Sequence, residues 1–245
     1  MRTCMAARLL VTLAAGGLVV SCGGPAKPTS DSSAESPPMP VTQLGARLLP
    51  GALPDGWTSH PDPSMTQTGP ADPSGLPQGC DVMYGEDIVA EATASAVSSV
   101  GADFQGGRSP EGGVIPGGET LYAFSGGGAV RAMQAIRTLV STCRTVSVKS
   151  GVAISTCSFA NGSGPRLGDE SLVVRADVAY SNFPGVVQYA DATVVRVGST
   201  LVELHSIAMS RSEVDAIESL MPIAVAQLTS AHPKPVGAPE AGGLG

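Results

Sequence analysis

The sequence is 245 residues long, carries a formal net charge of -7 at pH 7, and is 42% hydrophobic, 14% charged and only 4% aromatic. An acidic chain is a poor partner for nucleic acid or anionic lipid surfaces. So few aromatics also argue against a stacking platform for sugars or bases.

The chain opens with a short basic head, Arg2 and Arg8, then a mostly apolar run from Leu9 to Val20, with small Ser21 directly before Cys22. This is the layout of an export signal. As a helix the run would reach only about 18 Å, against a hydrocarbon core of about 30 Å, so it is too short for a finished membrane span. Val19-Val20-Ser21-Cys22 resembles a bacterial lipobox, which implies cleavage before Cys22 and diacylglycerol on its sulfur. Two acyl chains hold a protein stably at a bilayer where one holds it only marginally. Residues 1–21 are therefore assigned as a lipoprotein signal peptide. Residues 22–43 follow as the lipidated cysteine and a Pro/Ser/Gly-rich tether with too little apolar content to fold. As a flexible coil this tether would hold the next domain on the order of 25 Å from its anchor. Loss of the signal removes Arg2 and Arg8 and no acid, so 14 basic residues fall to 12 against 21 acidic ones and the net charge moves from -7 to -9.

Residues 44–230 suffice for one compact domain with its own core, and 231–245 read as a flexible tail. Weak strand signals lie at 92–104. From Glu119, "ETLYAFSGGGAVRAMQAIRTLVSTC" reads as a strand ending near Ser125. A helix over 127–143 follows, burying Val130, Met133, Ile136, Leu139, Val140 and Cys143 on one face. Further weak strand signals lie at 145–159. In "SLVVRADVAY", Leu172, Val174, Ala176, Val178 and Tyr180 alternate with Arg175 and Asp177, the period of a strand with one buried face. "ATVVRVGSTLVELHSIAM" predicts a hairpin turning at Gly198-Ser199. Its register puts Val195, Val197, Val202 and Leu204 on the core face and Arg196, Glu203 and His205 on a solvated one. "SRSE" predicts a helix capped by Ser210 and Glu213, with Pro222 kinking or breaking its apolar stripe. The expected fold is α+β: a single domain with a mainly antiparallel twisted sheet and helices packed on its core face.

Cys4 leaves with the signal and Cys22 is committed to lipid, which leaves Cys80, Cys143 and Cys157 in the domain, an odd set. The chain-entropy estimate gives about 4 kcal/mol for a Cys80–Cys143 bridge and about 3 kcal/mol for Cys143–Cys157, too close to decide.

The sequence contains no Gly-x-Ser-x-Gly elbow, His-Glu-x-x-His, phosphate-loop lysine motif or Cys-x-x-Cys. His60 lies in a Pro-rich stretch and His232 in the tail, so His205 is the one histidine expected in regular structure. Glu203 shares its strand face as a metal-ligand or acid–base pair would, but with no third ligand nearby they read as a solvated row with Arg196 diagonal to Glu203. Gly126–Gly128 read as a tight strand-to-helix turn capped by Ser125 rather than an anion site. Asp169 and Glu170 read as acids that face water or bond a turn rather than a catalytic pair. No catalytic, metal or cofactor-binding residue is assigned.

The order of landmarks "LLPGALPDGW", Cys80, "AVRAMQAIRTLVSTC", "LGDES" and "DATVVRVGSTLVELH" resembles a known family. It is the PknH-like extracellular sensor domain of actinobacterial transmembrane Ser/Thr kinases, found also in free lipoproteins. The resemblance spans residues 44–230. It implies a twisted antiparallel sheet with flanking helices, a cleft for an unidentified ligand, and disulfides of which the first would join Cys80 and Cys143. Cys157 matches the start of a second bridge but has no later cysteine to meet. The expected function is therefore a non-enzymatic, lipid-anchored sensor-like domain on the extracytoplasmic face of the cell membrane, without a cofactor. It would bind a small ligand or an envelope partner. An interaction scaffold is the alternative, and a hydrolase a third reading.

Overall fold

The computed structural model describes residues 37–72, 74, 79–106, 116–150 and 153–230. The signal peptide, Cys22, most of the tether, and the tail with His232 lie outside the described residues.

A short helix α1 (Val41–Gly45) and a 3-10 turn (Pro54–Gly56) precede strand β1 (Thr58–Thr68). Helix α2 (Gly85–Thr93), strands β2 (Ser98–Gln105) and β3 (Gly117–Ala123) and helix α3 (Gly128–Thr142) follow. Strands β4 (Thr145–Ser150), β5 (Ala153–Gly162), β6 (Glu170–Tyr180), β7 (Val187–Val197) and β8 (Thr200–Ala208) lead into helices α4 (Arg211–Glu218) and α5 (Met221–Thr229). The eight strands form a single antiparallel sheet in the order β1-β2-β3-β8-β7-β6-β5-β4. The fold class is α+β, as the alternation of strand and helix periods predicts.

The helices pack on both faces of the sheet. On one face, Ile88 and Val89 of α2 and Met133, Ile136 and Val140 of α3 meet Val174, Ala176, Val178, Ala190, Ala192, Val194 and Leu201. On the other, Leu44 of α1, Val214 and Ile217 of α4, and Met221, Ala224 and Leu228 of α5 meet Leu121, Val195, Val202 and Leu204. This corrects the expectation of one core face. The apolar row of β6 and the apolar row chosen for the β7–β8 hairpin belong to opposite faces, and each buried aliphatic contributes about 1.5–3 kcal/mol to its own layer. The row carrying Glu203 and His205 is therefore not solvated. In the opposite row of β6, Arg175 is largely covered while Asp177 stays half-exposed. Arg175 bonds Asp191 at 2.6 Å and Glu218 at 2.9 Å under α4.

Local sequence accounts for most boundaries. Glu213 accepts the Ser210 N–H at 3.1 Å as the N-terminal cap of α4, and Pro222 stands in the first turn of α5, so the long stripe is two helices. The region 92–104 is part helix, because α2 runs to Thr93 before β2 begins at Ser98. Strand β1 holds Pro61 and Pro63 at the sheet edge, where a missing N–H is tolerated. His60 consequently sits on a strand rather than in a loop, exposed and 3.1 Å from Thr58 Oγ1. Gly127 takes the N-cap position of α3 with φ 68° and no side-chain cap, so Ser125 contributes its backbone carbonyl to Gly128 N–H instead of its hydroxyl.

Candidate functional site

Strand β8 lies in the interior of the sheet, yet its row facing α2 reads Leu201, Glu203, His205, Ile207. Glu203 is 2% exposed. Its Oε2 accepts the Tyr122 hydroxyl at 2.8 Å, and Thr93 and Thr120 flank that hydroxyl. Its Oε1 is buried with no hydrogen-bond partner. Burial pushes the Glu203 carboxyl up to about 8, and the charges of Glu86 and Asp87 add to this while the Tyr122 bond opposes it. The acid is thus largely protonated at neutral pH.

His205 is neutral for the same reason. Burial drives its imidazole down to about 4, against a smaller opposing pull from Asp103. Nε2 stands 3.4 Å from Glu86 Oε2, and Nδ1 is buried without a partner. A neutral ring with its hydrogen on Nε2, toward Glu86, leaves Nδ1 as a bare acceptor. Burial also raises the Glu86 carboxyl, helped by Asp87.

The backbone is shaped around these groups. Gly118 pairs across from His205, and a Cβ there would lie 2.9 Å from ring atoms Cε1 and Nε2 and 2.8 Å from the Ala102 carbonyl. Only a residue without a side chain lets the imidazole lie on strand β3. Above, α2 is held close to the sheet because Gly85 would place a Cβ 2.8 Å from the Ala190 carbonyl of β7. Asp87 caps the helix by accepting the Met83 and Tyr84 N–H groups, each at 2.8 Å. The Cys80–Cys143 disulfide fastens the segment entering α2 to the end of α3. Cys157 is a buried free thiol, pushed up to about 11 by burial with Asp87 adding to the shift.

Two cavities flank the row. One, of about 270 Å³, is lined by the acids Glu86 and Asp103, by His205, and by Phe104, Pro116 and Ile207 among others. The other, of about 190 Å³, is lined by Thr93, Ser99, Thr120 and Tyr122 together with Met65 and small residues. Glu203 is cross-strand from Thr120 and on the same face as His205, so it stands between the two walls. A third hollow, of about 570 Å³, opens by Asp55, Trp57 and Ser219 on the other face and brings only one charged side chain, Asp55. Among the described residues no three His, Cys, Asp or Glu side chains are spaced to hold a metal ion.

The other residues singled out in the sequence are structural. Asp169 accepts the Gly198 N–H at 2.7 Å and bonds Arg196 at 3.0 Å, which steadies the β7–β8 turn, and Glu170 pairs with Arg137 and Arg196. Arg196 therefore does not pair with Glu203, whose cross-strand neighbour on β7 is Val194. Arg131 reaches the Gly126 carbonyl across the triple glycine. Two buried acids, Glu119 and Asp191, were missed altogether. Glu119 accepts the Leu49 N–H at 2.6 Å, its Oε1 has no partner, and burial lifts it to about 8 against the opposing effect of that bond. Tyr122, Glu86 and α2 itself were missed as well. The only signal for them was a helix-period Ile88-Val89-Ala92 set behind Asp87.

No family model matches the chain, and no curated protein matches it. Among solved structures it is similar to the extracellular domain of PknH from Mycobacterium tuberculosis. The identity is 12% and the TM-score 0.47, over 78% of this chain and 97% of that one. A likeness of this size assigns neither a family nor a function, which have to come from the site. No helix among the described residues is long and apolar enough to cross a membrane.

Proposed function

We propose that this chain is a lipid-anchored, extracytoplasmic, sensor-like domain that binds a small ligand between α2 and the sheet. The observation that carries the reading is a buried atom without a protein partner, His205 Nδ1, on a ring that lines a cavity of about 270 Å³, with a second such atom, Glu203 Oε1, behind it on the same strand face. A buried polar atom left unpaired costs about 1–3 kcal/mol, so a molecule supplying the missing hydrogen bonds has a built-in source of affinity. The compartment is supported by the Cys80–Cys143 disulfide, which suits an oxidising environment, and by the lipobox-like Val19–Cys22 stretch with its tether.

A hydrolase would need a nucleophile on the histidine. His205 has Glu86 at one ring nitrogen and nothing at the other. A scaffold reading is favoured by one observation: Phe183 and Val186 are 58% and 39% exposed beside Ile154 at 44%, where the Ser181 N–H bonds the Ile154 carbonyl.

The test is thermal unfolding of the full chain with fractionated cell-envelope extracts, beside esterase, phosphatase, peptidase and glycosidase substrates. A ligand that binds only the folded state at a hundred times its dissociation constant adds about 2.7 kcal/mol. The expected result is a shift with one fraction that Glu203→Gln reduces, and no turnover. Turnover abolished by His205→Ala would establish the hydrolase instead. No shift with any fraction would transfer the function to the Phe183 surface.

A further inference from the structure

Independently of the cleft, the sheet has an open edge, and we infer that this edge is an interface between two copies of the chain, joined antiparallel through strand β4 about a twofold axis at Ser147. The two edges of the sheet differ. Strand β1 is guarded by Pro61 and Pro63 and by a break in its register between Asp62 and Gln67, devices that stop an edge from accepting another strand. Strand β4 holds no proline, carries a single charge, Lys149, and pairs with β5 without a break from Thr145–Ser158 to Ser150–Ala153.

The groups that point outward follow from the ladder. The Phe159 N–H donates to the Arg144 carbonyl, which makes Arg144 and Phe159 a hydrogen-bonded pair. Such pairs alternate in an antiparallel ladder, so Val146 and Val148 turn their N–H and C=O groups toward β5, while Thr145, Ser147 and Lys149 turn theirs away from the sheet. Among the described residues no backbone group bonds these outward positions. Thr145, Ser147 and Lys149 are exposed, whereas Val146 and Val148 are half-buried, with Val146 packed against the core layer that α3 shares.

A single register uses all of these groups. With Ser147 opposite Ser147 of the second copy, Thr145 falls opposite Lys149 and Lys149 opposite Thr145, and every outward N–H meets an outward C=O. A slip by two residues leaves one outward residue of each copy beyond the end of the other strand. The full register also keeps Lys149 away from a second lysine and sets Val146 against Val148 at the close, non-hydrogen-bonded spacing, so an apolar pair extends the layer on the α3 side. A foreign strand would have to bring this match, whereas a second copy has it built in. Twofold pairing consumes the open edge of both copies, and because β1 is guarded at the other end the assembly closes at two instead of growing into a filament.

The experiment measures self-association of the full chain by sedimentation, with variants that read the register. The expected result is a concentration-dependent dimer. Ser147→Pro should weaken it at least about tenfold, because it removes an outward N–H from each copy and leaves the β4–β5 bonds intact; an unchanged urea midpoint shows that the variant is folded. Oxidised Ser147→Cys should give a dimer linked 147 to 147 in peptide maps, since hydrogen-bonded partners stand about 5.5 Å apart at Cα, within disulfide range. Thr145→Cys mixed with Lys149→Cys should link to each other and not to themselves, because like positions lie about 14 Å apart in this register. If Ser147→Pro does not fold, the cross-links decide alone. A chain that stays monomeric at its highest soluble concentration overturns the proposal, as does a dimer that folded Ser147→Pro leaves unchanged or whose cross-links follow another register. A monomer whose Thr145, Ser147 and Lys149 amides shift with an envelope fraction would give the edge to a foreign strand, and the second-copy assignment falls.

Discussion

Glu119→Gln gives a sharp test of the buried acids, because its effect on stability changes sign with pH. The carboxyl lies at the foot of the segment that follows α1, 0% exposed, with the Leu49 N–H on Oε2 at 2.6 Å and nothing on Oε1. Its folded-state value is about 8 against 4.5 for the free group. A carboxyl raised by folding binds its proton more tightly in the native state, so its contribution is fully present below about 4.5 and is lost as pH rises toward 8. The loss is about 1.4 kcal/mol per pH unit and on the order of 5 kcal/mol in total. Glutamine keeps the Leu49 bond through its carbonyl but leaves a buried amide N–H₂ without an acceptor, at a cost of about 1–3 kcal/mol independent of pH. The variant should therefore be less stable than the parent at pH 5 and more stable at pH 8.5. Urea unfolding read by the fluorescence of Trp57, the single tryptophan and 4% exposed, measures both chains across that range. Two stability curves that run parallel from pH 5 to 8.5 would refute the reasoning, since they would mean Glu119 titrates alike in the folded and unfolded chain.

Asp191→Asn should cost about 1–3 kcal/mol at neutral pH by urea unfolding, since it removes the shared carboxylate between Arg175 and Arg211 while Glu218 and Asp177 still pair them. Gly118→Ala should lower stability and alter the His205 imidazole shifts, because its Cβ meets both the ring and the Ala102 carbonyl; unchanged imidazole resonances would contradict the contact. Peptide mapping without reductant should recover Cys80 joined to Cys143, with Cys157 alkylated only after unfolding. Cys22→Ala should release the protein from membranes or leave it uncut, and a mature-length variant still held by membranes would place the anchor elsewhere.

The strand periods were legible because backbone geometry enforces them. Leu172, Val174, Ala176 and Val178 do share one face, and Val195, Val202 and Leu204 share another. Which face was wet was not legible. In β7 both registers are apolar, Ala190, Ala192 and Val194 on one side and Val195 on the other. A polar row opposite an apolar one looks the same in sequence whether water or a helix lies above it. The helix above it here, α2, is short, begins at a glycine and is capped through Asp87 rather than by a Ser or Thr. Its weak local signal hid the lid, and with it the burial of Glu203 and His205. The β1 segment was obscured in a similar way by Pro61 and Pro63, which are compatible with a strand only at an edge. Cysteine spacing left the pairing open, and only the family resemblance favoured Cys80 with Cys143.

Two buried acids in the same sheet show why the α2 face, rather than the α4 face, is the place to look for a ligand. Asp191 is 3% exposed and Glu203 is 2% exposed. Asp191 has both oxygens engaged: Oδ1 accepts the Ala176 N–H at 2.9 Å, and Oδ2 takes Arg175 at 2.6 Å and Arg211 at 2.5 Å. That is a closed network, which holds α4 against β6 and β7 and has no need of an outside partner. Glu203 has one hydroxyl on Oε2, an orphan Oε1, like charges nearby and an adjacent histidine with an orphan nitrogen. A leucine at 203 would fill the layer without these costs, as Leu201 does on the same strand face. Retaining an acid there is a local conflict that packing does not explain, and such conflicts mark the places where a sequence answers to something other than its own stability.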